Sequence, residues 1–184
     1  MELLLVHPEI PHNTGCAARL SAALRVRLHL VQPLGFSLQD RYLKRAGLDY
    51  WPLVDLVVHS KLESALETLA QESRRPLEER LKLFTARGGT SLFEARFEPD
   101  DVLCFGSESS GLPAELLQRP ELQRVYLPIA PGVRSLNLAN AISVGLYTAL
   151  VRSGAELPDN DGTYVAHADA QRDVWPQHVA REGG

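Results

Sequence analysis

Four polar side chains crowd one turn late in the chain. In LPIAPGVRSLNLANAISVGLY, Leu127 to Tyr147, the residues Arg134, Ser135, Asn137 and Asn140 separate a strand-like opening from a helix-like close. A guanidinium donates to anions and carbonyls, while hydroxyls and amides cap helix ends or read the polar edge of a ligand. Two other stretches have the same makeup: HPEIPHNTG from His7 and FGSESSG from Phe105. Gly and Pro fix backbone shape there, so main-chain groups are free to face a ligand.

Several chemistries are excluded. The dinucleotide fingerprint GxGxxG and the phosphate loop GxxxxGK[ST] are absent. Gly106 to Gly111 reads GxExxG, and Glu108 is a poor neighbour for a pyrophosphate. That loop suits a neutral or cationic ligand. The six histidines have no ligand spacing and Cys16 and Cys104 have no CxxC, so no metal is expected. No GxSxG elbow supports a serine nucleophile. His7 and His12 read as surface or supporting residues, and Cys16 as a small core residue on a helix face.

These loops need a scaffold. Apolar runs predict strands at Leu3–Val6, Leu28–Val31, Leu53–Val58, Leu81–Thr85, Val102–Phe105 and Val125–Ile129. Between them the pattern predicts helices. One is capped by Asn13-Thr14 and carries Ala17, Leu20, Ser21 and Leu24 on one face. Others are a short basic helix over Asp40–Ala46, then Leu62–Ala70 and Pro113–Leu117. A last helix carries an apolar stripe from Leu138 to Leu150. Alternating strands and helices define an α/β fold, a mostly parallel sheet flanked by helices. In such sheets ligands bind beyond the carboxyl ends of the strands, where all three loops fall.

The chain has 184 residues, enough for one domain with a real core. No apolar run approaches the ~20 residues of a membrane span, and MELLLVHPEIP lacks the basic start of a signal peptide. With two cysteines, a reducing cytoplasm is the expected compartment. Residues 153–184 hold six acids and two bases, which accounts for the whole net charge of −4. The acidic tail is set apart from residues 1–152, with local order expected only around Val174-Trp175. On the neutral body, Arg25, Arg27, Arg41, Lys44 and Arg45 are either a basic face or scattered surface charge.

EIPHNTGCAARL, HLVQPLGF, LKRAGLDYW, FGSESSGLP and LPIAPGVRSLNLANAISVGLY follow one another in this order. Together they resemble the SPOUT superfamily of RNA methyltransferases, and more narrowly the TrmL (YibK-like) tRNA 2′-O-methyltransferases, from about Leu3 to Arg152. The resemblance implies a C-terminal trefoil knot, a homodimer, and S-adenosyl-L-methionine as methyl donor with no metal. The implied substrate is the ribose of the wobble nucleotide, position 34, in a tRNA anticodon loop. By position it places the donor against Phe84, Gly106, Leu127 and Ser135, with backbone around Leu127, Ile129 and Leu136 reading adenine edges. Phe84 stands where the family often has a smaller aliphatic residue.

For catalysis the resemblance singles out Arg19, in NTGCAAR. Guanidinium keeps its proton, so its implied role is to stabilise the developing alkoxide or a phosphate. Asn13 would orient that arginine or the ribose. Asn137 and Ser135 either cap the last helix or reach the ligand, and Asn140 is equally open. Glu108 holds its loop or balances the sulfonium charge. Arg134 points to RNA phosphate or into the site, and Arg41 and Arg45 are the candidates for RNA contact. Where the family commonly reads GPETRG, Ser110 replaces the Arg, which bears on substrate choice.

Overall fold

Helices cover both faces of a sheet whose central strands are mostly apolar, because both faces there are buried. The computed structural model describes residues 1–38, 51–159 and 162. The expected basic helix Asp40–Ala46, with Arg41, Lys44 and Arg45, lies outside the described residues, as does the Val174-Trp175 patch.

The strands are β1 (Glu2–Val6), β2 (Arg27–Val31), β3 (Leu56–His59), β4 (Leu81–Thr85), β5 (Thr90–Ser91), β6 (Val102–Phe105) and β7 (Gln123–Tyr126). They form one sheet in the order β3-β2-β1-β6-β4-β7-β5, with every neighbouring pair parallel. The helices are α1 (Pro11–Leu24), α2 (Leu62–Gln71), α3 (Leu77–Arg80), α4 (Ala114–Leu117) and α5 (Leu138–Arg152).

Successive strand residues point to opposite faces. Leu3, Leu5, Leu28, Leu30, Leu103 and Phe105 face α1 and α5, meeting Ala17, Ala18, Ile142, Leu146 and Ala149. Leu4, Val6, Val31, Leu83 and Cys104 face the other way, onto Leu62, Ala65 and Leu69 of α2 and Leu116 of α4. Burial pushes the Cys104 thiol far above its ordinary range, so it stays neutral.

Several boundaries differ from the sequence reading. α1 begins at Pro11, the position where a missing N–H costs nothing, so Asn13 and Thr14 sit inside its first turn instead of capping it. Cys16 is only half-buried, its Sγ 3.7 Å from His12 Nε2, and is not a core residue. Pro52 turns Trp51–Leu53 into a 3-10 turn, leaving Leu56–His59 as strand. β7 stops at Tyr126, two residues before Pro128, so Leu127 to Ile129 belong to the loop. α3 and β5 were not foreseen.

Gly145 sits inside α5, where glycine costs ~1 kcal/mol relative to alanine. Its place is explained by Phe84: a Cβ there would come within 2.8 Å of Phe84 Cε1.

Candidate active site

At the carboxyl ends of β4, β6 and β7 the three loops converge on one cleft of about 470 Å³. α1 contributes Asn13, and Ile10 lies just before that helix. The β4 end contributes Phe84, Thr85 and Ala86, and the β6 end Phe105 to Gly111. Leu127, Ile129 and Arg134–Asn137 come from the loop after β7, and Leu138 and Ala141 from α5. One wall is apolar, built on Phe84 and Phe105, whose rings stack at 4.4 Å.

The polar wall is a reciprocal clasp. The Glu108 carboxylate accepts from the backbone N–H of Glu9 (2.8 Å) and Ile10 (3.2 Å) and from Asn13 Nδ2 (2.9 Å). Glu9 returns the arrangement, accepting from the Ser109 N–H (3.1 Å) and its hydroxyl (2.6 Å). All of these donors are uncharged, so the Glu108 charge stays available to the cleft. It also lies at the start of α1, where the helix dipole favours an anion.

A second line crosses to α5. Asn137 Nδ2 donates to Asn13 Oδ1 at 2.9 Å, while Asn137 Oδ1 accepts from the Asn140 N–H at 3.2 Å. Asn137 therefore both caps α5 and lines the cleft. Ser135 lines the cleft without capping, and Asn140 contributes its backbone N–H to the cap. Arg134 Nη2 donates to the Ser109 carbonyl at 2.8 Å. On the outer side, Arg87 donates to the carbonyls of Val133 and Pro131 and holds the loop after β7.

Gly106 has no alternative: a Cβ there would lie 2.0 Å from the Gly111 carbonyl carbon. That close approach is the paired turn in which Ser107 and Gly111 exchange backbone hydrogen bonds. Gly111 adopts φ +72°, a left-handed conformation that favours glycine.

The cleft thus gathers Asn13, Phe84, Gly106, Glu108, Leu127, Ile129, Arg134, Ser135, Leu136 and Asn137. Arg19 is exposed on α1 and is not among the lining residues. Arg41 and Arg45 lie outside the described residues. Arg27, a candidate for the basic face, is committed to ion pairs with Asp55 (2.8 Å) and Glu72 (2.7 Å). Sequence reasoning missed Glu9, Phe105 and Ala141. Phe105 carried a signal, as the last apolar residue before FGSESSG.

The model of the SpoU rRNA Methylase family matches residues 1–147. The chain belongs to this family. Among relatives of this SpoU methylase is a tRNA (cytidine(34)-2'-O)-methyltransferase of Polaromonas sp., 42% identical, covering 83% of this chain and 90% of the relative. A protein of Burkholderia ambifaria with the same name is 44% identical over 84% of this chain and 96% of its own length. A solved structure described as "Structural insights into the 2-OH methylation of C/U34 on tRNA" is 48% identical with a TM-score of 0.75. It covers 82% of this chain and 94% of that one. The parallel sheet with flanking helices is the fold this chain shares with that solved structure.

Proposed function

We propose that this SpoU methylase transfers the methyl group of S-adenosyl-L-methionine to the ribose 2′-oxygen of the wobble nucleotide, position 34, in a tRNA anticodon loop. The observation that carries this reading is the convergence of three strand-end loops on one cleft, in a chain more than 40% identical to proteins named for that reaction.

The cleft suits the donor. Its apolar wall offers Phe84, Phe105, Leu127 and Ile129 to the faces of a planar base, and loop backbone to its edges. The Glu108 carboxylate suits a cationic ligand. The donor supplies an electrophilic methyl; the chain supplies orientation and electrostatics, with no metal required. Asn13 and Asn137, bonded to each other, tie the first turn of α1 to the start of α5 at the cleft wall.

Arg19 lies off its own chain's cleft, so a catalytic role calls for a second copy. A homodimer fits an apolar stripe on α5: Val144, Tyr147 and Val151, spaced i, i+3, i+7, are 44%, 46% and 63% exposed. In that assembly Arg19 of one copy stabilises the alkoxide forming beside the other copy's cleft. The family's trefoil knot, a cytoplasmic location and an acidic tail outside the domain of residues 1–152 belong to the same reading. Among the described residues no helix is long and apolar enough to cross a membrane.

Incubation with labelled donor and unmodified tRNA, followed by nucleoside mass spectrometry, tests the reaction. Methylation at position 34 supports it. Methylation elsewhere points to another RNA site, and RNA binding without transfer overturns catalysis. Arg19→Ala is expected to lose transfer. Mixed with Glu108→Ala subunits, it is expected to regain activity that neither variant has alone. RNA affinity should fall with salt.

A further inference from the structure

Phe84 and Gly145 meet directly under the cleft. Phe84 is the fourth residue of β4, and its ring is stacked on Phe105 at 4.4 Å and 24°. Gly145 faces them from α5. A Cβ built on it falls 2.8 Å from Phe84 Cε1, 3.2 Å from Cζ, and 3.4 Å from Phe105 Cζ. Leu138, Ala141 and Gly145, at i, i+3 and i+7, share one helix face, and the first two line the cleft. The glycine is a notch one turn deeper, and the Phe84 ring edge is seated in it.

We infer that Gly145 is a specificity-determining residue: its missing side chain sets how far the Phe84 ring stands into the cleft, and so the room left for the flat base of the donor. The inference rests on the reading of this cleft as the donor site. With Phe105 stacked on one ring face and α5 behind the ring edge, the open side is the cleft. An alanine at 145 drives the ring that way. Trimming Phe84 to an aliphatic side chain removes the conflict and enlarges the cleft instead.

The experiment measures calorimetric binding of S-adenosylhomocysteine, alongside thermal melting, for the wild-type protein, Gly145→Ala, Phe84→Leu and the double variant. Gly145→Ala is expected to weaken binding at least tenfold, and the double variant to recover most of that loss. A second arm offers a donor with an N6-alkylated adenine: Phe84→Leu is expected to bind it at least fivefold better than the wild-type protein does. If wild type does not bind S-adenosylhomocysteine, the reading of the cleft fails. If wild type binds and folded Gly145→Ala binds equally well, the pair is core packing alone and the inference is overturned. Loss in Gly145→Ala without recovery in the double variant overturns it too. Should Gly145→Ala not fold, the comparison of Phe84→Leu with wild type on the enlarged donor decides.

Discussion

The two ends of this parallel sheet handle polar groups in opposite ways. At the carboxyl end, carboxylates meet uncharged donors around an open cleft. At the amino end, charges are buried against one another. Arg80, fully buried, donates to Glu2 (3.1 Å), to the Asp100 carbonyl (2.8 Å) and to the Leu69 carbonyl at the end of α2 (2.8 Å). Glu2 in turn bonds His29 Nε2 at 2.8 Å, and from the middle of β2 His29 Nδ1 carries the chain of contacts on to His59 Nε2, at the far end of β3, at 2.9 Å. Burial works to raise Glu2, yet the His29 hydrogen bond and its neighbours hold its carboxyl down to about 2. One end spends its polarity on itself and locks the sheet; the other keeps polarity facing an open cleft.

That contrast breaks most readily at Arg80. Arg80→Ala leaves Glu2 buried beside no guanidinium of its own and should cost about 3–5 kcal/mol in urea unfolding. Donor binding per folded molecule should stay unchanged. The next largest effect is acid sensitivity. Burial, with His29 beside it, pushes His59 from its ordinary 6.5 down to about 4. The folded protein refuses a proton that the unfolded chain accepts, so stability falls as pH drops from 6.5 to about 4, by roughly 3 kcal/mol at most. His59→Gln should flatten the melting temperature over that window.

At the cleft end the expected changes are in function more than in stability. Glu108→Ala removes three hydrogen bonds to a charged acceptor and should lower transfer about 100-fold, with about 2 kcal/mol lost in unfolding. If transfer survives at the parental rate, the two ends differ only in appearance. Smallest is Asn137→Ala, which removes the α5 cap at about 1 kcal/mol and loosens Asn13. Raised KM for the donor with little change in kcat is the expected kinetic signature.

The sequence was most legible where local rules act alone. β4 and β6 fall on their predicted residues because apolar runs between polar turns have only one buried solution. Proline marks three of the shifted boundaries: Pro11 started α1 early, Pro52 precedes the late start of β3, and Pro128 lies just past the early end of β7. The three loops that line the cleft stood out by their Gly, Pro and polar content. What joins them did not. Glu9 and Ser109 are 100 residues apart, and no local pattern pairs them. Gly145 read as one more small residue in an apolar stripe, since its meaning depends on an aromatic ring 61 positions away in sequence.

The exchange between Glu9 and Glu108 has an environmental consequence. Neither carboxylate is held by an opposing charge in that clasp; each is held by amide, hydroxyl and main-chain protons. Counterions that mask long-range attraction have little to act on there. A family that works on a polyanion meets its partner through forces that ionic strength weakens steeply. The architecture of the cleft, by this wiring, is insulated from the same variable: brine slows the encounter and leaves the vessel unchanged.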